Sequence, residues 1–274
     1  MELASDEDRE GIEWLRRAFR QYISYVRDTH KLVALAALGI SRMEGEIQLV
    51  EALINYDLTV SGIEERSEEQ SRRIAEAKER AAFAKRENEE GFPFLCAHSL
   101  VGLWGAFEGA VDDFLATWLV AHPDKLTDAE TIRLRVSASD LLALSEQDRV
   151  RLVLGELTRS QSVEARMGIS RFEGLLSRVG LSGEVSETVK RQIFEMQQVR
   201  HLWAHRGGRP DEAFRSRCPW MHADPSGKIR VDMNRLNDYG ATTVRYAIDI
   251  ENRALRRHGF ENRQGWLYRT PSIN

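Results

Sequence analysis

Between residues 100 and 118 the chain carries Leu100, Leu103, Trp104, Phe107, Val111, Phe114, Leu115 and Trp118, spaced mostly three and four apart. That spacing lays one wide apolar stripe along about five turns of a helix. Such a stripe must be covered by other elements, which commits the chain to a core built around this helix. Pro93 suits a first helical position, where an N–H would have no partner. His122-Pro123 predicts the end, because a residue before proline is pushed away from helical geometry.

Other segments carry the same period. Val185, Val189, Ile193, Met196, Val199 and Trp203 predict the inward face of a helix that Ser182 can cap. Gly207-Gly208 and Pro210 end it firmly. Leu236, Tyr239, Thr243, Tyr246, Ala247 and Ile250 predict a closing helix over 234–257, with Gly259 after it. A helix over 138–157, interrupted or bent near Ser145, and a short one through Phe172, Leu175, Leu176 and Val179 complete the set. Residues 228–231 are expected to be briefly extended. The fold class is therefore all-α, an antiparallel bundle of about four main helices.

The first 90 residues have a different texture. Trp14, Ala18, Tyr22, Tyr25 and Val26 recur at helical spacing, Gly39 is a plausible break, and a second helix is expected over 41–59. The stretch 64–90 is more than half charged, yet Ile63, Ser67, Gln70, Ile74, Ala77, Ala81 and Ala84 keep heptad spacing. Residues 1–90 are read as an N-terminal helical extension and 91–274 as the bundle.

Composition narrows the function classes. With 42% hydrophobic and 30% charged residues, the chain has the balance of a soluble globular protein. Its formal net charge of −4 excludes the global basic field of a nucleic-acid coat protein, so RNA contact would need a local patch. Two distant cysteines, Cys96 and Cys218, indicate neither a disulfide framework nor a cysteine zinc site. The longest uninterrupted apolar run, residues 32–40, is too short to cross a bilayer. The first residues are acidic, unlike the basic start of a signal peptide, so no membrane association and a cytoplasmic location are expected.

One segment carries chemistry: Arg200-His201-Leu-Trp-Ala-His205-Arg206-Gly-Gly208-Arg209. Arg200 falls within the inward stripe, where a guanidinium needs an anionic partner. Glu108 lies inside the apolar stripe of the earlier helix and has the complementary need. A bidentate fork from Arg200 to Glu108 is the simplest pairing. His205 sits in the last turn, where the helix dipole favours its protonated form and suits it to general acid or base work. Arg200 and His205 are about 140° apart on a regular helix, so only arginine's reach or a distorted final turn would let both meet one phosphate. Arg206, Arg209, Arg215 and Arg217 supply a local basic patch for RNA.

The arginine, four residues, histidine pattern, with polar His201 beside the arginine, resembles the signature of HEPN domains (higher eukaryotes and prokaryotes nucleotide-binding), of the bacterial ribonuclease type. The turn after His205, the helix around Phe107-Glu108 and the closing helix resemble the same family, over roughly 91 to 258. The resemblance implies a HEPN-like helical bundle that forms a homodimer with a composite active site. It also implies metal-independent RNA cleavage without a cofactor, in toxin–antitoxin or anti-phage defence, with an antitoxin or regulatory protein as partner. Arg200 and His205 match the catalytic pair, His201 the polar position beside it, and Glu108 would orient Arg200.

Two rivals remain. His201 and His205 are four apart on one helix face, the spacing of paired zinc ligands, with His222 or Asp224 as third ligands. Alternatively, the bundle is a catalytically silent interaction module that binds a protein or nucleotide partner. His30, His98, His122 and His258 are expected at the surface or on helix edges.

Overall fold

The computed structural model describes residues 6–126, 137–160, 162 and 167–260. Its helices are α1 (Asp6–Met43), α2 (Glu46–Ser61), α3 (Glu68–Glu89), α4 (Pro93–Ala121), α5 (Ala138–Ala143), α6 (Glu146–Ser160), α7 (Ser170–Arg178), α8 (Glu187–Arg206), α9 (Glu212–Arg217) and α10 (Met233–Arg257). No strand occurs among the described residues, and 228–231 form an irregular, partly buried segment rather than a strand. The protein is all-α.

α4 is the central helix, packed by α1, α6, α8 and α10. Every stripe residue from Leu100 to Trp118 is buried. Phe107 anchors an aromatic nest, with Phe172 at 5.0 Å, Tyr22 at 5.6 Å and Trp104 at 6.0 Å between ring centres. By length and composition alone α4 could cross a membrane, but here its apolar side chains are spent inside the bundle. Pro93 opens it and His122 closes it.

Leu15, Phe19, Tyr22, Val26 and Val33 of α1 belong to the same core as α4 and α10. Phe19 stacks on Phe114 at 4.8 Å, and the Tyr22 hydroxyl meets Thr243 Oγ1 at 2.5 Å. The amphipathic period of α1 runs unbroken past Gly39, so one helix serves both the bundle and a limb formed with α2 and α3. The heptad spacing of α3 is used inside the chain: Ile74, Ala77 and Ala84 are buried where α3 packs on α1 and α2. Ser67 and Gln70 start α3 with a reciprocal capping box.

Local signals place the other ends. Ser145 accepts a hydrogen bond from Asp148 N at 3.1 Å, so of the expected interruption or bend it is the interruption that occurs, and a new helix start separates α5 from α6. Ser186, not Ser182, caps α8 by accepting from Val189 N at 3.4 Å.

His30 is not a surface residue. It is 9% exposed and packed where α1 approaches Gly240 of α10. A Cβ at position 240 would lie 3.0 Å from the imidazole, so glycine permits the approach. Burial lowers the His30 pKa, and a hydrogen bond with the Val26 backbone works the other way. A histidine whose folded pKa lies below its unfolded value of about 6.5 gives stability that is complete above that pH and lost as pH falls through the folded value. Unfolding midpoints in urea should therefore decline as pH falls below about 6.5. In His30→Gln that part of the decline should vanish; an identical slope would remove His30 as its source.

Candidate functional site

α8 presents two chemically different sides to the rest of the molecule. Its inward residues Val189, Ile193, Met196 and Val199 are buried against α4 and α10. On that side Arg200 Nη2 donates to Glu108 Oε2 at 3.2 Å. The expected bidentate fork does not form, because Arg171 of α7 donates to the other oxygen, Oε1. Glu108 is thus a bridge between two guanidinium groups, its side chain 17% exposed and those of Arg171 and Arg200 22% and 26%. The Arg200 guanidinium carbon also lies 6.0 Å from the Trp104 ring centre, within cation–π range. One turn along α4, burial raises the Asp112 pKa, while Arg171 opposes the rise.

Arg171 and Trp104 are the residues that sequence reasoning missed. Arg171 comes from a short helix 63 positions away from Glu108, and no local pattern marks it. Trp104 reads as a core residue from its spacing and lies in the core, yet its ring also backs Arg200.

On the solvent side, His201 and His205 are exposed with ring centres 4.8 Å apart. Partial burial lowers the His201 pKa, helped by the charges of His205, Arg200 and Arg206. His201 is accordingly neutral at pH 7, free to donate or accept a hydrogen bond. The helix remains regular through Arg206, so Arg200 and His205 keep the angular separation of a normal helix. The sites form two pairs, Glu108–Arg200 and His201–His205, with no hydrogen bond between the pairs among the described residues.

The end of α8 is rigidly made. Gly207 (φ 56°) and Gly208 (φ 83°) are left-handed, and Gly208 N donates to Leu202 O at 3.2 Å. A Cβ on Gly208 would fall 2.8 Å from the Trp203 ring, so the turn lies flat against that indole. Trp203 Nε1 donates to Ile229 O at 2.9 Å, and Ile229 N donates back to Gly208 O at 2.9 Å. These bonds fasten the irregular segment before α10 to the last turn of α8.

The basic residues divide in the same way. Arg206 pairs with Asp211 at 3.1 Å, and Arg217 Nη1 donates to Gln198 at 3.4 Å. Asp211 also caps α9; its bond from Phe214 N, then the Arg206 charge, holds its carboxyl below the usual range. Arg209 and Arg215 are exposed. Behind Trp203 lies a cavity of about 390 Å³ lined in part by Phe83, Arg86, Phe94, Lys228 and Arg230. A larger cavity of about 740 Å³ sits between α1, α4 and α6, where Arg151 and Asp113 already satisfy one another at 2.8 Å.

Among the described residues no third histidine, cysteine, aspartate or glutamate joins His201 and His205 in a metal-binding group. Asp224, one suggested third ligand, accepts from Ser226 N, Ser226 Oγ and Lys228 N in its own turn. His222 is exposed. No protein-family model, curated protein or solved structure matches the chain.

Proposed function

We propose that the protein is a metal-independent endoribonuclease of HEPN type, acting in the cytoplasm as a homodimer in toxin–antitoxin or anti-phage defence under an antitoxin or regulatory partner. The observation that carries this reading is the end of α8: an arginine aimed by Glu108 and an exposed histidine pair lie within six residues, beside uncovered cations. In this reaction the RNA 2′-oxygen bonds to the adjacent phosphorus and the P–O5′ bond breaks. His205 takes the 2′-hydroxyl proton or delivers one to the leaving O5′, and its twin in the second copy performs the other transfer. Arg200 stabilises the negative charge gathered on the phosphoryl oxygens. His201, neutral at pH 7, orients the substrate. Because Arg200 and His205 face different sides of one helix, pairing two copies would bring an arginine and a histidine from different chains to one phosphate.

A silent interaction module is the second reading, favoured by the ties that already occupy Arg200 on Glu108 and Trp104. One experiment separates them. Purified protein is incubated with mixed cellular RNA in EDTA, beside His205→Ala, and product ends are analysed. Cleavage by the wild type alone, leaving 2′,3′-cyclic phosphate and 5′-hydroxyl ends, is the expected result. RNA left intact by a well-folded dimer would favour the module.

A further inference from the structure

α2 is apolar on the side it turns away from the protein. Leu49, Leu53, Tyr56 and Val60 are 62%, 56%, 71% and 68% exposed. Their spacing of four, three and four is that of a coiled-coil seam, in which side chains of one helix enter the gaps of another of the same period. Ile63, just past the αL residue Gly62, extends the patch at 56% exposure. The opposite side of α2, centred on the buried Ile54, is the one packed on α3. α2 thus has two apolar sides, of which only one is covered.

The charges of α2 sharpen the point. Glu46 is held by Arg80 at 2.6 Å, Glu51 by Lys78 at 3.6 Å, and Asp57 accepts from Gln70 Nε2 at 3.1 Å. All three carboxylates are turned toward α3, and no lysine or arginine lies in 46–61. A helix adsorbed on an anionic bilayer needs basic residues along its polar face, and every charge within 46–61 is acidic. The regular seam instead calls for another helix.

We infer that α2 is a dimerisation helix and that its partner is α2 of a second copy, running antiparallel. In that orientation Leu49 of one copy lies opposite Val60 of the other, and Leu53 opposite Tyr56, so all four seam residues are used twice by one two-fold axis. The helix dipoles oppose in this orientation, whereas a parallel pair would set like ends side by side. Eight apolar side chains, four from each copy, leave water together, with Ile63 flanking them at each end. At about 100 Å² each that is on the order of 1,000 Å², the threshold of a specific interface. Leu32, Leu35 and Leu38 of α1, 66%, 68% and 50% exposed, leave further apolar surface on the same limb.

This inference shares the homodimer with the nuclease reading and goes beyond it in naming the contact; none of its residues belongs to the α8 site, and RNA cleavage tests that site separately. The test is the mass in solution of the full chain, by light scattering and sedimentation between about 1 and 100 µM, a range that brackets ordinary dimer affinities. The wild type is expected to be a dimer, and Leu53→Glu/Tyr56→Glu a monomer whose dimer affinity is at least about 100-fold weaker. Both side chains are exposed, so circular dichroism should stay as in the wild type, and melting should match that of wild-type protein diluted until it is monomeric; Leu53→Gln provides a milder variant. For orientation, Leu49→Cys chains mixed with Val60→Cys chains should form the mixed disulfide. A monomeric wild type, or a dimer untouched by the double substitution, overturns the inference. Disulfides formed only between identical chains overturn its antiparallel sense.

Discussion

Arg253→Met is expected to lower the stability of the protein by about 3 kcal/mol, the lower end of the range for breaking a buried ion pair. Arg253 is 4% exposed and draws three parts of the fold together. Nη1 donates to both Glu173 oxygens at 2.9 Å and to Leu181 O at 3.2 Å, while Nη2 reaches Asp249 at 2.7 Å. Glu173 also accepts from the Tyr246 hydroxyl at 2.6 Å. Burial and the Glu173 charge hold that hydroxyl far above the usual phenol range, so it stays protonated and donates. Removing the guanidinium leaves Glu173 facing a buried hydroxyl and an orphaned carbonyl. Glu173 and Asp249 keep side-chain exposures of 21% and 40%, which places the cost at the lower end of that range. Gly183 limits the repair: a Cβ there would stand 2.4 Å from Arg253 Nε, so the loop before α8 is moulded to the guanidinium. Urea unfolding of the variant measures the effect. A loss below about 1 kcal/mol would mean that the two carboxylates regain water at no cost.

On the nuclease reading proposed above, Arg200→Ala should reduce RNA cleavage by about a thousandfold, the loss typical of removing a positioned donor from a developing oxyanion. The bundle should survive, because the guanidinium is a quarter exposed and Arg171 still pairs with Glu108. Glu108→Gln is the informative companion. It removes the charge that aims Arg200 without touching the arginine, so a smaller loss, about ten- to thirtyfold and mainly in kcat, is expected. Arg200→Lys should not rescue, since an ammonium lacks the planar fork that meets two oxygens. Equal cleavage by Arg200→Ala and the wild type would remove Arg200 from the reaction.

How much of this was legible beforehand depends on whether the determining partner is close in sequence. The α4 stripe, Pro93 at its start, the double glycine after α8 and the inward face of α10 are local patterns, and each lies where its spacing predicts. The pairing of Glu108 with Arg200 was also readable, because a charge inside an apolar stripe demands an opposite charge from a facing helix. Its geometry was not. Arg171 takes half of the carboxylate from a loop-flanked helix with no marking pattern. The same limit explains α1. Its stripe reads as amphipathic whichever surface covers it, and only tertiary packing shows that Phe19 and Tyr22 enter the α4 core. Ser182 and Ser186 both satisfy the rule for a cap, and the chain uses the one that precedes Glu187 at the positive end of the helix. His30 was placed outside for want of any local sign of Gly240, on a helix two hundred residues later.

The unbroken length of α1 has a mechanical consequence. At about 1.5 Å per residue its 38 residues form a strut of nearly 60 Å. Its first half is embedded in the core and its second half carries the limb. No loop interrupts the strut, so the limb cannot swing without bending a helix or tearing Phe19 and Tyr22 from their seats. A load applied at α2 therefore reaches α4, where Glu108 sits, through a stiff member rather than a hinge.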